Sequence, residues 1–176
     1  MKHGLTFWFT GLSGAGKTSL SVALHEALKV EGHFTVILDG DELRRTLSND
    51  LSFSEIDRME QNRRAANVAK LLNSQGINVL AALISPSHAI QSAIKSIIGS
   101  SFCHFIHVDC SLEECQKRDV KALYSNQTIQ QAASFTGIHQ LYEPPITPWL
   151  YLNTEILNIE KCTENLLVNV RATIEQ

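Results

Sequence analysis

Short apolar runs alternate with longer stretches of helical spacing along the whole chain. The runs fall at 5–10, 35–38, 78–84, 104–108 and 149–152, each about the length of a strand. After the first, Leu20, Ala23, Leu24, Ala27 and Leu28 recur at helical spacing, predicting a helix over 18–30. Ser54 is placed to open a second helix that continues to about residue 73, and Gly76 to end it. Ser111 and Glu114 form a capping box ahead of a short helix at 115–118, while Leu166, Leu167, Val170 and Ile174 mark a terminal helix over 163–175. Such alternation predicts an α/β fold, a three-layer α/β/α arrangement around a mostly parallel five-stranded sheet. One segment breaks the pattern. Residues 121–137 are polar and rich in Gln, Ser and Asn, and their place after the fourth strand makes them a candidate mobile lid.

Chemistry collects where the strands end, as open α/β sheets require, because ligands sit beyond the carboxyl ends of parallel strands. The first run leads into Gly11-Leu12-Ser13-Gly14-Ala15-Gly16-Lys17-Thr18, which matches the phosphate-loop pattern GxxxxGK[ST] at every fixed position. Glycines let such a loop turn so that successive N–H groups face phosphate oxygens. Lys17 would reach the β- and γ-phosphates of ATP and the Thr18 hydroxyl would ligate Mg²⁺, with Ser13, Ala15 and Ser19 completing the nucleotide contacts. The second run ends at Asp39-Gly40-Asp41. Two carboxylates at i and i+2 beside a phosphate loop suggest a division of labour: one holds the metal and the other accepts the proton of an attacking hydroxyl. An acidic turn is the alternative, since Asp-Gly is also common turn chemistry. Arginines follow at 44, 45, 58, 63 and 64, and their planar forks of donors suit phosphate or sulfate oxygens. Arg44 and Arg58 are the stronger candidates; Arg45, Arg63 and Arg64 read more readily as surface charges.

Size and charge change the picture only modestly. The 176 residues suit a single domain over 1–176 with a full core. A net charge of −3 argues against a broad nucleic-acid surface but allows a small cationic pocket. No apolar stretch is long enough to cross a bilayer, and the chain runs almost at once into its first strand, so a cytoplasmic protein without a leader is expected. Cys103, Cys110, Cys115 and Cys162 form no CxxC pair and no zinc-type spacing with the seven histidines, which points to buried thiols.

The motif succession GLSGAGKTS, LDGDELRRTLSNDLSFSEIDR, RRAANVAKLL, ISP, RDVKALY, FTGI and YEPP resembles the adenylylsulfate kinases over about residues 7–154. That family has a P-loop NTPase-like fold and moves the γ-phosphoryl group of ATP to the ribose 3′-hydroxyl of adenosine 5′-phosphosulfate. The resemblance implies that Lys17 and Thr18 engage ATP and Mg²⁺, that Asp39 helps hold the metal, and that Asp41 orients or deprotonates the acceptor. It implies acceptor contacts for Arg44, Phe53, Arg58, Gln61 and Ile84, with Phe135 as the other half of an aromatic clamp on the base. Ser85 matches the serine of the ISP motif, near the transferred group, and Arg118 and Lys121 match residues near the nucleotides. A homodimer is also implied. From the residues alone, Phe53 and Phe135 could equally be core.

Departures from the family pattern fall on the acceptor side and the lid. Ser87-His88 stand where Phe-Arg is usual, and Val120-Lys121-Ala122 stand around a usual Pro-Lys-Gly. Ser125, Asn126 and Thr128 replace basic lid residues, and Gln61 replaces an asparagine. Fewer positive charges around two anionic nucleotides should weaken binding or change the anion accepted. An alternative acceptor is therefore another activated nucleotide, such as a cytidine diphosphate carrying a sulfate-like group; a nucleotide-binding module without catalysis is a third reading. His88 reads as a hydrogen-bonding histidine or a substitute cation, and His107 as structural.

Overall fold

The computed structural model describes residues 2–119 and 141–175. Strand β1 (Thr6–Thr10) runs through the middle of a five-stranded sheet, flanked by β3 (Asn78–Ala82) and β4 (Cys103–Asp109). With β2 (Thr35–Asp39) and β5 (Leu150–Asn153) at the edges, the order is β2-β3-β1-β4-β5, and every neighbouring pair is parallel. The five strands are those the apolar runs predict. They read as near-continuous apolar runs because the sheet is covered on both faces.

Side-chain alternation along β1 divides the core in two. Phe7 and Phe9 face a cluster with Leu20, Leu24 and Leu28 of helix α1 (Lys17–Val30) and Cys162, Leu166 and Val170 of helix α6 (Ile159–Ile174). Trp8 faces the opposite cluster, with Ala65, Ala66 and Ala69 of α3 (Glu55–Ser74) and Ile90, Ile94 and Ile98 of α4 (His88–Ile98). Two short helices, α2 (Gly40–Arg45) and α5 (Leu112–Arg118), sit where β2 and β4 end.

The caps explain the boundaries. The Ser54 hydroxyl accepts from Asp57 N–H and starts α3, the Ser111 hydroxyl accepts from Glu114 N–H and starts α5, and Gly76 sits at φ 79° just past α3. Several elements differ from the sequence reading; α5, for one, begins at Leu112, directly after its Ser111 cap, and not at 115. Helix α6 begins at Ile159, not 163, because Asn158 caps it through Lys161 N–H and Cys162 already belongs to its buried stripe. Residues 40–45 form a helix in place of an acidic turn, for a reason that lies in the site. All four cysteines are free and buried. Among the described residues no helix is long and apolar enough to cross a membrane. The expected lid at 121–137, with Lys121 and Phe135, lies outside the described residues.

Candidate active site

The phosphate loop leaves β1 at Gly11 and enters α1 at Gly16, and positive φ angles, with close backbone approach at Gly11 and Gly14, dictate its glycines. Gly11 has φ 154°, and a Cβ there would stand 2.3 Å from the Val108 carbonyl oxygen. Gly16 caps α1 at φ 100°, in the left-handed region where glycine is the least strained residue. Between them Gly14, Ala15 and Ser13 form the turn of the loop, with Ala15 fully buried. Lys17 folds back over the loop, its Nζ donating to the carbonyls of Gly11 (3.0 Å) and Leu12 (2.8 Å). Thr18 and Ser19 are exposed in the first turn of α1, whose N-terminal end attracts anions.

Asp39 joins this loop to the next element. One carboxylate oxygen accepts from the Thr18 hydroxyl at 2.7 Å. The other accepts from the backbone N–H groups of Asp41 (2.9 Å) and Glu42 (3.3 Å), capping α2. That cap turns Asp-Gly-Asp into helix, and it places Asp41 in the first turn of α2 with Arg44 one turn on. Thr18 and Asp39 offer adjacent hard oxygen donors beside the phosphate loop, a donor set that fits Mg²⁺ held jointly with phosphate oxygens. Among the described residues no group of three or more His, Cys, Asp or Glu side chains gathers to hold a metal alone.

Across from the loop, Arg44, Phe53 and Arg58 come together. The Arg44 guanidinium lies 4.3 Å from the Phe53 ring centroid, and the Arg58 guanidinium lies 6.0 Å from it. Arg44 Nη1 donates to the Ser52 carbonyl (2.7 Å) and Arg58 Nε to the Phe53 carbonyl (2.9 Å), so both arginines also fix the loop that carries the ring. Asp57 holds the same loop, accepting from Ser52 N–H and from the Ser52 and Ser54 hydroxyls, and these hydroxyl bonds keep its carboxyl below its ordinary range. Burial pushes the Arg44 guanidinium down from its ordinary value. Burial, and then the charge of Arg44, pull Arg58 down to about 10. Two partly buried guanidinium groups brought this close repel one another, and an anion between them would favour the charged form of both.

Phe53 is 58% exposed, which excludes the core role and leaves a flat apolar face available for stacking. Arg45, Arg63 and Arg64 are engaged by neighbouring carboxylates. Arg45 pairs with Glu42 (2.9 Å), Arg63 with Glu60 (2.6 Å), and Arg64 with both Glu60 and Asp50 (2.9 and 2.6 Å). The arginines that the sequence singles out are the two that the structure brings to the ring.

Other expected site residues are placed differently. Ser85, expected beside the transferred group, is fully buried at φ 48°; its hydroxyl accepts from Trp8 Nε1 (2.8 Å) and donates to Asn62 Oδ1 (2.7 Å). Its hydroxyl proton is therefore directed to Asn62. Gln61 is likewise turned inward, its amide donating to the Gly40 carbonyl (2.7 Å) and bracing the start of α2. Ile84 is half-buried and presents its carbonyl to the Thr10 hydroxyl. Arg118 reaches Thr154, donating to its carbonyl (2.7 Å) and hydroxyl (3.3 Å).

Sequence reasoning missed Thr154, whose hydroxyl also donates to the Ala15 carbonyl (2.9 Å) and so braces the phosphate loop from β5. It missed the clasp formed by Glu143. The Glu143 carboxylate accepts from His88 N–H (2.7 Å) while its own N–H donates to Pro86 and its carbonyl accepts from Gln91. His88 hydrogen-bonds the Pro144 carbonyl at 2.9 Å, so it tethers that segment to α4. His107 is buried against Tyr142 and Tyr151, and burial lowers its pKa, as befits a structural histidine.

A parallel sheet with a phosphate loop after its central strand, and a carboxylate linking that loop to a second helix, defines a P-loop NTPase-like nucleotide kinase fold. The profile of the adenylylsulphate kinase family matches residues 3–153. The adenylyl-sulfate kinase of Bacteroides thetaiotaomicron is 42% identical over 175 residues, covering 99% of this chain and 87% of that one. That of Paraburkholderia xenovorans is 41% identical over 168 residues, covering 96% and 93%. The solved structure of the APS kinase of Mycobacterium tuberculosis in complex with AMPPNP and APS superposes with a TM-score of 0.91 at 34% identity, covering 97% of this chain and 99% of that one. The chain belongs to the adenylylsulphate kinase family.

Proposed function

We propose that the protein transfers the γ-phosphoryl group of ATP to the ribose 3′-hydroxyl of adenosine 5′-phosphosulfate, forming the 3′-phosphorylated sulfate donor and ADP. The observation that carries this reading is the double engagement of Asp39. One oxygen meets Thr18 of the donor loop and the other caps the helix bearing Asp41 and Arg44. Donor and acceptor groups are thereby held on one rigid carboxylate. In the transfer, Asp41 takes the proton of the 3′-hydroxyl as the new oxygen–phosphorus bond forms and the bond to the ADP oxygen breaks. Lys17 and the loop amides neutralise the charge on the transferring oxygens. Thr18 and Asp39 would hold Mg²⁺, which when bound would offset the negative charge of the phosphates. Arg44 and Arg58 take the phosphosulfate anion, and the adenine stacks on Phe53.

The same reading places the reaction in the cytoplasm, where ATP is supplied. It takes the protein as a homodimer, although a related structure from Thiobacillus denitrificans is described as a hexameric APS kinase. The deciding assay couples ADP release to purified protein with ATP, Mg²⁺ and an acceptor panel. Turnover with adenosine 5′-phosphosulfate is expected; turnover with a cytidine nucleotide and none with the adenosine acceptor would overturn the substrate assignment. A companion variant tests the pocket. Because Phe53 is exposed, Phe53→Ala should leave the unfolding midpoint nearly unchanged. It should raise KM for the acceptor about tenfold, in line with the loss of one base–aromatic stack, with KM for ATP unaltered. An unchanged acceptor KM would remove Phe53 from the pocket.

A further inference from the structure

We infer that Trp8, Ser85 and Asn62 form a buried relay that sets the position of Arg58, and with it the acceptor pocket, against the strand leading into the phosphate loop. This rests on the proposed kinase reading for its readout. The relay runs Trp8 Nε1 to Ser85 Oγ (2.8 Å), Ser85 Oγ to Asn62 Oδ1 (2.7 Å), and Asn62 Nδ2 to the Arg58 carbonyl (2.8 Å). Trp8 and Ser85 are fully buried and Asn62 nearly so.

Its direction is fixed by chemistry. An indole N–H only donates, so the Ser85 hydroxyl accepts there and has its single proton left for Asn62. Asn62 must then present its carbonyl oxygen to Ser85, which leaves its NH₂ for Arg58. No rotamer or amide flip satisfies the three groups in another order.

Two further observations indicate that the relay positions the pocket as well as filling space. Ser85 is held at φ 48°, a strained conformation for a non-glycine residue that persists only where surroundings impose it. Gln91 supplies part of that constraint by donating to the Ser85 carbonyl at 3.1 Å. In addition, the apolar contacts of α3 with the sheet begin at Ala65, nearly two turns beyond Arg58. Apolar contacts tolerate sliding, whereas a hydrogen-bond chain fixes separation to a few tenths of an ångström. The first turns of α3, which carry Arg58, are thus registered on β1 by directional bonds. β1 continues into Gly11. In-line transfer, where a misplacement of about 1 Å can cost about 10²-fold in rate, needs that registration.

The test uses Trp8→Phe, which keeps an aromatic ring but removes the N–H, Asn62→Leu, which keeps volume but removes the amide, and the double variant. Ser85→Gly removes the hydroxyl while relieving the positive φ, separating the relay from backbone strain. Each variant should lower kcat about tenfold with KM for ATP unchanged, and the double variant should be no slower than the slower single one, since a serial chain breaks only once. Fold-changes that multiply, or an unaltered kcat, would overturn the inference. Unfolding equilibria of the same four proteins need no turnover: Trp8→Phe and Asn62→Leu should be non-additive there too. Additive unfolding would sink the relay whichever nucleotide proves to be the acceptor, while failure of the unaltered protein on adenosine 5′-phosphosulfate would count against the substrate alone.

Discussion

Asp41→Asn should lower turnover by about 10²-fold or more while leaving ATP affinity within about twofold. The amide keeps the size of the carboxylate and its place in the first turn of α2, so the helix, its Asp39 cap and the nearby Arg44 persist. What disappears is a group able to take a proton from the acceptor hydroxyl. Because Asp39 accepts from Thr18 and is unchanged, the donor side should be kept. Pre-steady-state mixing with ATP and acceptor, together with an equilibrium titration of a non-hydrolysable ATP analogue, separates the two quantities. Near-normal turnover would show that proton removal is not assisted by this residue.

Lys17→Ala should have the other large effect, with a different signature. Removing one preorganised cation from a transferring phosphoryl group costs about 10²- to 10³-fold in kcat. The same lysine also holds the Gly11 and Leu12 carbonyls, so KM for ATP should rise as well as kcat fall. Acceptor binding, measured by calorimetry without ATP, should be unchanged, since Arg44, Phe53 and Arg58 lie on other elements. Turnover within about tenfold of the unaltered protein would exclude Lys17 from charge stabilisation.

The phosphate loop and the strand ends were legible because their information is local: fixed glycine spacing, a lysine, and apolar runs of strand length. The arginines were partly legible for the same reason. Glu42 precedes Arg45 by three residues, and Glu60 precedes Arg63 and Arg64 by three and four, so pairing along a helix could be read directly. Helix α2 was not legible, because Asp-Gly-Asp carries turn chemistry and only the tertiary contact with Thr18 orients Asp39 as a cap. The setting of Ser85 was not legible for a related reason. A serine beside a phosphoryl site invites a chemical role, and nothing local in the sequence reveals a positive φ or a hydroxyl committed to a tryptophan 77 positions earlier. Helix α4 is absent from the sequence reading although Ile90, Ile94 and Ile98 give it a stripe; Ser87 caps it and His88 is its first residue.

The two-sided burial of β1 has a consequence for how such a protein can change over generations. The elements proposed to carry the donor site, α1 and α5, pack on the Phe7–Phe9 side of the sheet, and those proposed to carry the acceptor site, α2 and α3, pack on the Trp8 side. The sheet acts as a partition between two separately packed compartments. Among the described residues, substitutions such as Ser87-His88 and Gln61 fall on the Trp8 side, where their neighbours can readjust, and strain passes to the other side through Asp39 and β1. A lineage could therefore exchange one acceptor for another by rebuilding half a molecule, and keep its engine.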